Sequence, residues 1–78
     1  MDEKKIVTAI EVFQDIVLDI NVILAERQRA IDALTLFHDT ALPALHHIAK
    51  KVDSGVLKER ANLYIQRIKS GARVSMTI

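Results

Sequence analysis

Residues 3–38 read EKKIVTAIEVFQDIVLDINVILAERQRAIDALTLFH, and their period decides the fold class. Ile6, Ile10, Phe13, Val17, Ile20, Leu24, Arg27, Ile31, Leu34 and His38 are separated by alternating steps of four and three. That is the a/d seam of a heptad repeat. A second stripe of Ala9, Ile16, Ile23, Ala30 and Phe37 lies beside it, so the apolar face is wider than a bare seam and suits a helix with two or more neighbours. No Gly or Pro occurs in residues 1–42. The expectation is one helix from Glu3 to His38.

Such a helix of about 36 residues would span roughly 54 Å. A compact chain of 78 residues has a diameter near ~30 Å. The helix therefore either breaks or protrudes and is covered by another chain. Residues 16–25, with Leu18 and Val22 off the main face, are apolar nearly all round, which favours a covered helix.

Working outward, Asp39-Thr40 reads as a helix boundary in which either residue can cap the next helix, with Pro43 in its first turn. A second helix is expected over 42–52, with Leu42, Leu45, Ile48, Ala49 and Val52 as its apolar face. Asp53-Ser54-Gly55 reads as a turn. A third helix is expected over 56–69, with Leu57, Ala61, Tyr64, Ile65 and Ile68 inward, stopped by Ser70-Gly71. This return hairpin is too short to cover more than the C-terminal half of the first helix. The sequence thus predicts an all-α fold: one long N-terminal helix and a short two-helix return, dimerised into a helical bundle. The expected dimer seam comprises Ile6, Ile10, Phe13, Val17, Ile20 and Leu24. Residues 1–71 form the single helical domain and 72–78 a C-terminal tail. In the tail, Val74, Met76 and Ile78 alternate with polar residues, which suits either a loose terminus or a short pairing strand.

Apolar residues make up 50% of the chain and aromatics 4%, as suits aliphatic helix-on-helix packing. There is no cysteine, so disulfide and thiolate chemistry are excluded. The first five residues lack the charge bias of a signal peptide. Asp15, Asp19 and Asn21 interrupt the apolar run that follows, so no membrane span or membrane partner is expected and a cytoplasmic protein is the default reading.

Charge is divided unevenly. Residues 1–39 carry eight acids (Asp2, Glu3, Glu11, Asp15, Asp19, Glu26, Asp32, Asp39) and four bases (Lys4, Lys5, Arg27, Arg29), a balance of −4. Residues 40–78 carry two acids (Asp53, Glu59) and seven bases (Lys50, Lys51, Lys58, Arg60, Arg67, Lys69, Arg73), a balance of +5. The basic half either docks on the acidic half, within or between chains, or meets nucleic acid or an acidic partner.

The residues that could carry chemistry are few. His46 and His47 are adjacent on a helix and point about 100° apart, and His38 lies a helix away, so no metal site is expected. His38 falls on the seam, where protonation could tune an interface. Asp15 and Asp19 read as a solvated face with no base or nucleophile near them. Arg27 interrupts the seam. It either pairs with Glu26 or Asp32, or sets register in a dimer, or marks where the seam changes partners, which is the preferred reading.

Two functions follow as expectations, neither enzymatic and neither needing a cofactor. The first is a protein–protein interaction module (a regulator, adaptor or inhibitor of a larger assembly) acting as a homodimer toward a protein partner. The second is a dimeric nucleic-acid-binding transcriptional regulator using the basic hairpin 45–69, with Lys50, Lys51, Lys58, Arg60, Arg67 and Lys69 on phosphates. The turn at 53–55 and the start of the following helix fit helix-turn-helix base readout poorly. Deleting residues 72–78 is expected to leave helicity by circular dichroism unchanged; a melted fold would make the tail structural.

Overall fold

A computed structural model describes residues 3–71, and all of these that are regular are helical. The elements are α1 (Glu3–Leu18), α2 (Leu24–Leu34), a 3-10 segment (Thr35–Ala41), α3 (Leu42–Lys51) and α4 (Gly55–Lys69). The tail at 72–78 lies outside the described residues.

The long helix expected from Glu3 to His38 is interrupted inside its span, and a second break falls at its expected end, within the 3-10 segment. The first break is the turn at 19–23. Asp19 N–H donates to the Ile16 carbonyl at 3.3 Å, tightening the end of α1, and the Asp19 carboxylate accepts from Asn21 N–H at 2.9 Å. A short acceptor side chain bonding the backbone two residues on is a turn-forming device that competes with helix. The seam positions on either side of this turn, Ile10 and Val17 in α1 and Arg27, Ile31 and Leu34 in α2, are buried, whereas Ile20 and Leu24 beside it are exposed. The second break is at His38, whose φ of 49° and ψ of −128° lie in a region sparsely occupied by non-glycine residues. Phe37, just before it, packs on the core, with its ring centroid 6.4 Å from that of Phe13. His38 itself faces solvent, away from any seam.

α1 and α2 therefore form one antiparallel hairpin, and α3 and α4 form another through the turn at 52–54. α1 packs beside α3, and α2 beside α4. α1 and α4 consequently occupy opposite corners, and the 3-10 segment carries the chain from α2 to α3 across one end. The principal extents of 41 × 31 × 19 Å leave no room for a straight rod of roughly 54 Å.

The expectation that residues 6–24 lack an intrachain partner is corrected accordingly. Ile10 and Val17 are buried with Ile31, Leu34, Leu45, Ile48, Leu57, Ala61 and Ile65, and Ile6 and Phe13 pack against that core. The return hairpin follows the sequence closely. Pro43 lies in the first turn of α3, where its missing N–H costs nothing. The Ser54 hydroxyl caps α4 by accepting from Leu57 N–H at 3.3 Å. Asp39 and Thr40, in contrast, do not cap α3, whose N-terminus has no side-chain cap.

Arg27 joins the two hairpins. Heptad phase directs it inward, and it is only 5% exposed. Its Nε donates to the Val17 carbonyl at 2.7 Å, and its Nη2 to Asp53 Oδ1 at 2.6 Å. Val17 lies in the last turn of α1, where carbonyls have no helical partner, and it is fully buried. The alternative pairing of Arg27 with Glu26 or Asp32 does not form: Glu26 pairs with Arg29, and Asp32 with Arg60.

Truncating Arg27 leaves the Val17 carbonyl buried and unpartnered and opens a void beneath it. Arg27→Ala is expected to lower the unfolding free energy by about 2–4 kcal/mol in urea titrations; a loss under about 0.5 kcal/mol would contradict the clamp. The Arg27 hydrogen bond also holds the Asp53 carboxyl below its ordinary value of 3.8. A depressed folded-state value gives stability that is present above the unfolded value and lost as pH falls through the folded one. Asp53→Asn is therefore expected to flatten stability against pH below about 4.

Candidate interaction surface

The Arg27 clamp fixes which parts of the chain meet at one end of the molecule. By bonding both Val17 and Asp53, it sets the 19–23 turn beside the 52–54 turn. Four large aliphatic side chains stand exposed on these turns and the helix starts that follow them: Ile20 (70%), Ile23 (67%), Leu24 (45%) and Val56 (51%). An exposed apolar patch on a small protein marks a contact surface when it is rimmed by polar groups. Here the rim includes Asp19, Asn21, Lys50, Lys51 and Lys58, all exposed.

The residues expected to form the dimer seam are thus divided between two roles. Ile10 and Val17 are buried in the chain's own core, and Ile6 and Phe13 are partly so. Ile20 and Leu24 remain available at the apolar end. Ile23 and Val56 join them there. Ile23 belongs to the second stripe of the sequence pattern, and nothing in local periodicity pairs either residue with Ile20. The signal was the Asp19-Ile20-Asn21 turn chemistry, which converts the middle of a helix face into a protruding loop.

The basic residues of the return hairpin do not converge on one point. Lys50 and Lys51 end α3, while Lys58, Arg67 and Lys69 are exposed along α4. None of these five has an ion pair among the described residues. Arg60 is different: its Nη1 donates to Asp32 Oδ1 at 3.0 Å and to the Tyr64 hydroxyl oxygen at 3.2 Å. Tyr64 in turn donates to the same Asp32 oxygen, locking α4 onto α2. Among the described residues, ion pairing of the basic half with the acidic half is thus limited to this Asp32 cluster, since the Arg27–Asp53 pair runs in the opposite sense. Most of the charge asymmetry stays on the surface.

The remaining candidates are scattered. His38, His46 and His47 are exposed, and among the described residues no three His, Cys, Asp or Glu side chains lie together as a metal-holding group. Asp15 is exposed with no ion pair among the described residues, and Asp19 is engaged with its own turn. No helix among the described residues is long and apolar enough to cross a membrane. No protein-family model matches the chain, and neither a curated protein nor a solved structure matches it.

Tyr64 is the sole tyrosine, which makes its environment directly measurable. Burial, reinforced by its bond to Asp32, holds its hydroxyl above the ordinary value of 10. A raised value for a group that is neutral when protonated gives stability present below the unfolded value and lost as pH rises through the folded one. Alkaline titration followed by phenolate absorbance is expected to show ionisation above that of free tyrosine, and Asp32→Asn to shift it downward. An unperturbed titration in the intact protein would contradict the cluster.

Proposed function

We propose that this protein is a non-enzymatic helical interaction module that acts as a homodimer through its apolar end. The supporting observation is the exposure of Ile20, Ile23, Leu24 and Val56 on one end of a fold whose core is otherwise closed. A helical surface tolerates a single exposed leucine readily, whereas four aliphatics on adjoining turns carry a solvation cost that association removes. A second copy presents the same patch, and a two-fold contact is self-complementary for apolar groups. The patch is small beside the roughly 800 Å² per partner of a stable complex. The pairing is therefore weak and exchangeable, with the dimer trading its own contact for that of a larger partner. A module of this kind serves as a regulator, adaptor or inhibitor within an assembly.

The alternative, a nucleic-acid-binding regulator, draws support from the five unpaired cations of α3 and α4. Against it, the exposed residues at the start of α4 include the aliphatic Val56 and the acidic Glu59, which repels phosphate.

Sedimentation equilibrium of the wild-type chain and of Ile20→Ser/Leu24→Ser separates these readings. At high salt, where charged contacts are screened, the wild type is expected to associate with a micromolar dissociation constant, and the variant to be at least tenfold weaker with unchanged helicity. A wild type that stays monomeric, while duplex DNA is bound in a salt-dependent manner lost on neutralising Lys50, Lys51 and Lys58, would overturn the proposal.

A further inference from the structure

The outward side of α4 carries a second seam. Val56, Arg60, Leu63 and Arg67 follow one another at steps of four, three and four, the a/d rhythm of a helix that receives another helix. This stripe is turned away from the core formed by Leu57, Ala61 and Ile65. Val56 and Leu63 are about half exposed, Arg67 has no ion pair among the described residues, and the four line one depression together with Glu59 and Tyr64. Arg60 is held in place on this stripe by Tyr64 and Asp32.

The outward side of α1 carries a stripe of the same spacing and opposite charge. Thr8, Val12 and Asp15, with Asp19 in the turn just beyond α1, again follow steps of four, three and four, and all are exposed. Neither Asp15 nor the neighbouring exposed Glu11 has an ion pair among the described residues. One stripe alternates aliphatic residues with arginines. The other sets an aliphatic residue among aspartates.

We propose that the α4 stripe of one copy receives the α1 stripe of a second copy. The occupant is a second copy because the complementary stripe, matched in both period and charge, is present on the chain itself. The uneven division of charge supports this: the −4 and +5 halves are only slightly neutralised within the fold. α1 and α4 occupy opposite corners, so the two stripes of one molecule lie on different flanks of the fold. The contact is therefore head-to-tail, and each added copy leaves one stripe open at either end. This contact shares Val56 and Asp19 with the apolar end but extends from there along α4 and α1, and it does not rest on the dimer proposed there.

The test uses charge reversal in the Ile20→Ser/Leu24→Ser background, which removes the apolar-end contact. In that background the parent chain is expected to self-associate at low salt, and roughly tenfold more weakly at high salt. Asp15→Arg and Arg67→Glu, each alone, are expected to be monomeric. Their mixture is expected to associate, because the intact α1 stripe of one chain meets the intact α4 stripe of the other. The chain carrying both reversals is expected to regain association, since the two swapped charges attract again. A mixture as monomeric as its components would overturn the proposal. So would self-association that survives both single reversals, or an Arg67→Glu variant that loses only nucleic-acid binding.

Discussion

The fold depends on what happens to the carbonyl groups at the end of α1. A helix that stops inside a core leaves acceptors without donors, and each buried one costs about 1–3 kcal/mol. Arg27 supplies the donor for Val17 from ten residues away, and its guanidinium then reaches Asp53 on the other hairpin. The side chain that stops the aliphatic seam is thus the one that lets the chain turn at 19–23 and still close its core. The Asp53 carboxylate is more than half exposed, so the buried bond to Val17 carries most of the energetic weight and the ion pair sets direction. The Asp32–Arg60–Tyr64 cluster repeats the device farther along, between α2 and α4.

The sequence displayed the helical class, the return hairpin and its inward face plainly. Leu45, Ile48, Leu57, Ala61 and Ile65 are buried as their spacing required, because each short helix has a single apolar face and turn residues on either side. The segment from Glu3 to His38 was harder. A heptad repeat describes which side chains share a face, and it does not distinguish one helix from two that fold onto a common core. The absence of Gly and Pro proved a weak guarantee of continuity. Asp19 turned the chain with its own carboxylate, and His38 adopts a positive φ where tertiary packing of Phe37 outweighs local preference. Chain length already spoke against a continuous helix, since a rod of roughly 54 Å does not fit within a domain of about 30 Å. The apolar end was legible only in part, because it joins residues that the turn, and not the periodicity, brings to one side.

The molecule separates stability from contact. Its core is filled by residues from every helix, and its polar clamps tie helices together. The exposed aliphatics of the 19–24 region and the unpaired charges of α1 and α4 add nothing to that core. A chain of this size gains little by exposing apolar groups unless another surface covers them. The two kinds of surface also differ in salt response: apolar association is insensitive to moderate ionic strength, whereas contacts between charged stripes weaken over a Debye length of about 8 Å.

That difference permits a direct measurement. Amide chemical shifts of the isotope-labelled protein, recorded at high salt from low micromolar to millimolar concentration, report which residues meet another copy when the charged stripes are screened. The account predicts concentration-dependent shifts at 19–24 and 53–56, with Ile10, Phe13 and Val17 unmoved inside the core. Shifts that spread along Ile10, Phe13 and Val17, or spectra that do not change with concentration, would contradict it.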